Sequence, residues 1–210
     1  MDLPGPWRAR VADDALRRTF PDDDLDDGGW PEVTVPGHWQ AEPDFAGEDG
    51  PLLYRTRFST PSPTTDQRLW LELGGVSYQG DVWLNGSYLA PTEGYFFRRA
   101  LEVTSAARSR SEHLLAVEVT CPPIGNPDEK RTLTGSTQGG PGGHNPGGIW
   151  QPVSLRLTGP IHLKHIRVVC TRSTENVATL ALRAVVDSDR PRAAVLRTRI
   201  LGIDHRHRQP

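Results

Sequence analysis

The sequence predicts an all-β protein, and three observations carry the prediction. Apolar residues recur at every second position in short runs from Tyr54 onward, the period of a half-buried strand. Turn residues separate the runs, in a chain whose 21 Gly and 19 Pro among 210 residues are high for a helical protein and natural for many short strands. Asn85-Gly86, set between Val82-Trp83-Leu84 and Ser87-Tyr88-Leu89, supplies the two positive φ angles of a type I′ hairpin. At a usual domain size of roughly 100 to 150 residues, the length allows one complete domain and part of another.

The first thirty residues are polar, with a short helix expected over Asp13 to Arg18 and then the acidic run Asp22, Asp23, Asp24, Asp26 and Asp27. A calcium loop of the EF-hand kind needs Gly at its sixth position and Glu at its twelfth. This chain has Asp27 and Val33 there, so the run reads as a solvated loop. Strands follow at short intervals. Tyr54, Thr56 and Phe58 alternate with Arg55 and Arg57, and Leu69, Leu71 and Leu73 alternate with Trp70 and Glu72. After the hairpin, Leu101 with Val103 and then Leu115, Val117 and Val119 keep the period of two as far as Cys121. Pro122 to Gly148 breaks it, a stretch rich in Pro, Gly, Ser, Thr and Asn whose length marks a functional or disordered loop. The strand Ile149 to Leu157 ends the loop. Beyond Thr158-Gly159-Pro160, the runs Ile166 to Cys170, Leu180 to Val186 and Ala193 to Leu201 resemble the start of an immunoglobulin-like sandwich. Such a sandwich needs about seven strands, so roughly half of one is present. The tail from His205 to Pro210 offers no core residues, and the expectation is a truncated product.

Charge and motifs exclude several functions. The formal net charge is -2 with both signs scattered, so no basic stripe is present to neutralise phosphates and nucleic acid is not an expected partner. Met1 to Arg18 holds charges throughout, without the apolar core of a signal peptide, and no run approaches a membrane span; a cytoplasmic protein is expected. Cys121 and Cys170 are read as free thiols, two being too few for a disulfide framework. There is no Gly-x-Ser-x-Gly elbow, no His-Glu-x-x-His, no phosphate loop and no metal-spaced Cys/His set. No metal and no cofactor are expected, and the seven histidines are read as structural or solvent-facing.

Four segments in order carry a family resemblance. They are Val33-Thr34-Val35-Pro36-Gly37-His38-Trp39, then Tyr54-Arg55 with Phe58, then Leu73-Gly74-Gly75-Val76 through Val82-Trp83-Leu84-Asn85-Gly86, and last Gly147-Gly148-Ile149-Trp150-Gln151-Pro152-Val153. Together they resemble the N-terminal sugar-binding domain of glycoside hydrolase family 2, over roughly residues 30 to 158. The resemblance implies a jelly-roll β-sandwich at 30–159, after an N-terminal extension at 1–29 and before a partial immunoglobulin-like domain at 160–210. Two antiparallel sheets sharing one core agree with the strand pattern.

Members of that family are retaining β-glycosidases, whose two carboxylates stand about 5 to 5.5 Å apart. Both belong to a (β/α)₈ barrel of about 250 residues, for which this chain has neither the length nor the helix-strand alternation. The family's acid/base glutamate follows an asparagine; here Asn85, Asn126, Asn145 and Asn176 precede Gly, Pro, Pro and Val, so no catalytic residue carries over. The expected role is the non-catalytic N-terminal portion of a glycosidase. Its partners would be the barrel, in cis or in trans, and the carbohydrate substrate of the parent enzyme. The alternatives are a free-standing carbohydrate-binding module and a subunit that docks on a separate catalytic chain. Several members place an Asp about six residues before the Gly-Ile pair, where this chain has Gly142. His144 and Asn145, or Asn126 and Asp128, are the candidate substitutes for that sugar contact. Among the tryptophans, Trp39, Trp83 and Trp150 lie inside motif segments and are expected to be packed, whereas Trp7 and Trp30 are left open as exposed sugar platforms.

Overall fold

The computed structural model describes residues 1–3, 5–121, 145–200 and 203–209, and among them the protein is nearly all β. Two units are distinct, Met1–Leu157 and Thr158–Pro210. The first contains β1 (Trp7–Val11), α1 (Leu16–Thr19), β2 (Glu32–Val33), β3 (Leu52–Ser59), β4 (Arg68–Leu73) and β5 (Gln79–Leu84). It continues with β6 (Ser87–Glu93), β7 (Arg99–Glu102), α2 (Thr104–Ser109), β8 (Glu112–Thr120) and β9 (Val153–Thr158). One antiparallel sheet runs β2-β1-β3-β8-β5-β6 and a smaller one runs β7-β4-β9. Their facing side chains make a single core: Trp7 and Ala9, Leu52 and Tyr54, Val82 and Leu84, and Leu115, Val117 and Val119 meet Leu69, Leu71, Leu73, Val153 and Leu155. This is a β-sandwich, each sheet burying alternate residues against the other.

The Asn-Gly turn behaves as its residue types demand, with Asn85 at φ 52° and Gly86 at φ 77°. The Asn85 side-chain oxygen also accepts from Leu114 N at 3.0 Å, which ties the hairpin tip to β8. The alternation through Leu101 and Val103 is cut short after β7, because Thr104 turns the chain into α2. The Thr104 hydroxyl accepts from Leu69 N at 3.0 Å and donates to Glu102 at 2.9 Å.

Residues 1–29, set apart in the sequence as an extension, supply β1, which pairs with both β2 and β3 in the larger sheet. Its signal is weak in sequence because Arg8 and Arg10 alternate with Trp7 and the small Ala9. The following segment lies on the face of that sheet opposite the main core. There Phe20 and Trp30 pack with Leu53 and Ala116 into a second cluster joined by Leu16, Leu25 and Trp83. Arg55 holds it in place from β3. Its guanidinium donates to the carbonyls of Phe20 (2.7 Å), Asp22 (3.2 Å) and Leu25 (3.2 Å) and pairs with Asp27 at 2.7 Å. The acidic run is therefore not wholly a solvated loop: Asp27 is buried and also meets Arg8 at 3.2 Å. The run ends in a buried ion pair because a fully buried guanidinium needs a matched anion.

In the second unit, β10 (Ile161–Ser173) pairs with β11 (Ala178–Ser188), and β12 (Ala194–Ile200) pairs with β13 (Ile203–Gln209). Among the described residues four strands form where three were expected. β13 comes from the tail, whose Arg/His alternation carries no apolar signal and whose pairing is made by backbone groups. Cys121 is buried and Cys170 exposed, both as free thiols.

Candidate functional site

Three of the motif segments meet at one end of the sandwich. Gly147-Gly148-Ile149 runs between the other two and bonds to both. On one side Gly37 N donates to Ile149 O and Trp39 N to Gly147 O, each at 2.9 Å. On the other, Ser77 N donates to Gly148 O at 2.9 Å, Gly148 N to Ser77 O at 3.1 Å and Gly74 N to Pro152 O at 2.9 Å. The glycine pair is required by this closeness. A Cβ on Gly147 would overlap the Trp39 ring, and one on Gly148 (φ +139°) would stand 2.5 Å from Gly37 O.

Asn145 sits at the base of the junction, 1 % exposed. Its amide donates to Asp49 at 3.0 Å and to Cys121 O at 3.2 Å, and its oxygen accepts from Gly147 N at 3.0 Å. Both amide hydrogens are thereby used, and the side chain ties together the two residues that flank 122–144. Asn126, Asp128 and His144 lie outside the described residues.

An aromatic cluster rims the junction. Tyr95 stacks on Trp150 (centroids 4.6 Å apart, planes 29°), whose indole N–H donates to the Tyr95 carbonyl at 2.8 Å. His38 lies parallel to Trp150 at 6.3 Å and donates from Nδ1 to Pro146 O at 2.8 Å, and its Nε2 stands 3.5 Å from the Tyr95 hydroxyl. Burial, with Cys121 nearby, pushes the Tyr95 phenol up, so the group stays a neutral hydroxyl. Phe96 and Phe97 complete the rim and are exposed.

Sequence reasoning and structure diverge on the tryptophans. Trp7 and Trp30, left open as platforms, are buried, whereas Trp83 and Trp150, expected to be packed, are packed but only partly buried. Trp30 is covered because Phe20 and Leu53 pack on it and the Arg55 guanidinium lies 5.9 Å from its ring. Tyr95 and Phe96 were not singled out. Their one signal is three consecutive aromatics, Tyr95-Phe96-Phe97, in a connection between strands, where a buried face offers no reason for them.

Among the described residues no group of His, Cys, Asp and Glu is arranged to hold a metal ion. An open polar cavity of about 210 Å³ lies over β5, β6 and β8, lined by Gln79, Asp81, Glu93, Glu118 and Thr120. Two of its three carboxylates are engaged, Asp81 by the Tyr88 hydroxyl at 2.8 Å and Glu118 by Arg17 at 2.9 Å.

Residues 44–144 match the family model for the glycosyl hydrolase 2 galactose-binding domain-like domain. Over that stretch, a little under half of its length, the chain is similar to the galactose-binding-like N-terminal domain of glycosyl hydrolase family 2. No curated protein sequence matches it. Among solved structures, the chain is similar to a Bacteroides uniformis β-glucuronidase, with TM-score 0.74 and 18 % identity, covering 100 % of this chain and 26 % of that one. A β-glucuronidase of an uncultured Clostridium sp. gives 0.69 and 20 %, covering 90 % and 34 %. A glycosyl hydrolase family 2 member from Bacteroides cellulosilyticus gives 0.67 and 19 %, covering 93 % and 26 %. At these identities the likeness establishes the fold. The chain spans between about a quarter and a third of the length of these structures. No helix among the described residues is long and apolar enough to cross a membrane.

Proposed function

We propose that this chain is the non-catalytic N-terminal portion of a retaining β-glycosidase, supporting a (β/α)₈ barrel that supplies both reacting carboxylates. The observation that carries the reading is the family match over residues 44–144, within a unit whose described strands form the two antiparallel sheets of a β-sandwich. In this reading the sugar contacts are His144 and Asn145, or Asn126 and Asp128. The hairpins of residues 158–210 begin an immunoglobulin-like domain, and the enzyme works in the cytoplasm. Hydrolysis assays with aryl β-glucuronide, β-galactoside and β-mannoside test it. The purified chain is expected to turn over none of them, and hydrolysis that survives repurification would refute the non-catalytic role. Cell fractionation checks the location.

A further inference from the structure

The connection between β6 and β7 builds an aromatic step that the sandwich does not need for its own packing. Phe97 has a structural part, since its ring lies over Gly94 (φ +94°), where a Cβ would strike it. Phe96 has none and is 70 % exposed. Its ring stands at 89° to Trp150 with centroids 5.5 Å apart, and at 63° to Tyr95 at 4.7 Å. Tyr95 backs Trp150 and receives its indole hydrogen bond, so the corner between Phe96 and Trp150 is held from behind.

We propose that this step binds the C–H face of a pyranose ring in a β-glycoside. The carbohydrate class rests on the reading above; the site itself rests on the ring geometry. A pyranose presents one face of C–H bonds and an edge of hydroxyls, which suits an open aromatic face bordered by a few polar atoms. Here the border is the Tyr95 hydroxyl and the His38 ring, whose Nε2 stands 3.5 Å from that hydroxyl. A protein partner is the rival occupant, which the test below separates. Phe96 and Phe97, 70 % and 69 % exposed, offer roughly 0.7 of about 200 Å² each, near 280 Å², a third of the ~800 Å² per partner in a stable protein interface. That area matches a single sugar ring.

The test titrates the whole 210-residue chain with methyl β-glucoside, methyl β-galactoside and methyl β-glucuronide, followed by saturation-transfer NMR. Transfer to the ring C–H protons of at least one is expected, with Kd on the order of 1 to 10 mM. Phe96→Ala should weaken binding about fivefold, a loss typical of one aromatic contact. Tyr88→Ala, which removes an exposed ring from β6, should leave it unchanged. Phe96 is outside the core cluster, so its variant should melt with the wild type. Absence of transfer from all three glycosides, or equal binding by wild type and Phe96→Ala, overturns the proposal. So does a variant that loses self-association while its glycoside signal is unchanged, because the ring would then serve a protein contact. Turnover of aryl glycosides by the lone chain would sink the non-catalytic reading alone, and the titration would still decide the step.

Discussion

Replacing Asp27 by Asn should loosen the cover over the outer face of the six-stranded sheet. The Arg55 side chain is 0 % exposed, and Asp27, 11 % exposed, is its anionic partner at 2.7 Å. Removing one member of a buried pair leaves an uncompensated charge and typically costs about 3 to 5 kcal/mol. Three carbonyls still accept from Arg55 in the variant, so the lower end, about 3 kcal/mol, applies. For a unit of this size that corresponds to a fall in Tm of roughly 6 to 12 °C. Urea unfolding gives the free energy. Intrinsic fluorescence gives the location, because Trp30 should move toward water as the segment lifts from Leu53 and Ala116. The double variant Asp27→Leu/Arg55→Met should be more stable than Asp27→Asn, since it removes the stranded charge. A loss under about 1 kcal/mol in Asp27→Asn, with unchanged fluorescence, would show that the guanidinium is satisfied without its carboxylate and would refute this reasoning.

Gly147→Ala should destabilise the first unit by about 3 kcal/mol or more, or give insoluble protein, because its methyl overlaps the buried Trp39 ring. Gly159→Ala, with nothing within 4 Å of the new Cβ, is the matched control and should melt within about a degree of wild type. Acid should weaken the fold through His113, whose pKa burial lowers, with Arg110 adding to the effect. The unfolded chain takes up this proton near pH 6.5, before the folded one does, so stability is full above that pH and falls as pH drops toward the lowered folded value. Urea midpoints measured from pH 7.5 to 5.0 should decline in the wild type and decline less in His113→Gln.

The all-β class was legible because the alternate apolar residues of β3, β4 and β8 face the main core, although the residues between them are largely buried too. The Asn85-Gly86 turn was legible because few residue pairs accept two positive φ angles. What escaped was structure that depends on distant partners. β1 is five residues with two arginines, and only pairing with β3 makes Trp7 and Ala9 core residues. Asp27 reads like its acidic neighbours until Arg55 arrives from another strand. At the candidate site, the Gly-Gly-Ile-Trp segment was recognisable, but its glycines are explained by contact with Trp39 and Gly37 about 110 residues earlier. Asn145 was picked as a ligand contact, and its hydrogen bonds to Asp49, Cys121 and Gly147 are invisible to local reading. Phe96 was missed because exposed rings in a connection between strands follow no period.

The pairing of the first residues with β9 sets a timetable for synthesis. Leu155 N donates to Met1 O at 2.7 Å and Leu3 N to Val153 O at 2.8 Å, so the opening segment waits for a strand made about 150 residues later. At roughly 5 to 20 residues per second, that wait on the ribosome is about 8 to 30 s. Trp7 and the inner faces of β3 and β8 meet water or a chaperone meanwhile, since β9 is the last strand the smaller sheet needs. Slow translation of residues 122–150 would lengthen this exposure, and its yield in cells should respond to codon choice there more than anywhere downstream.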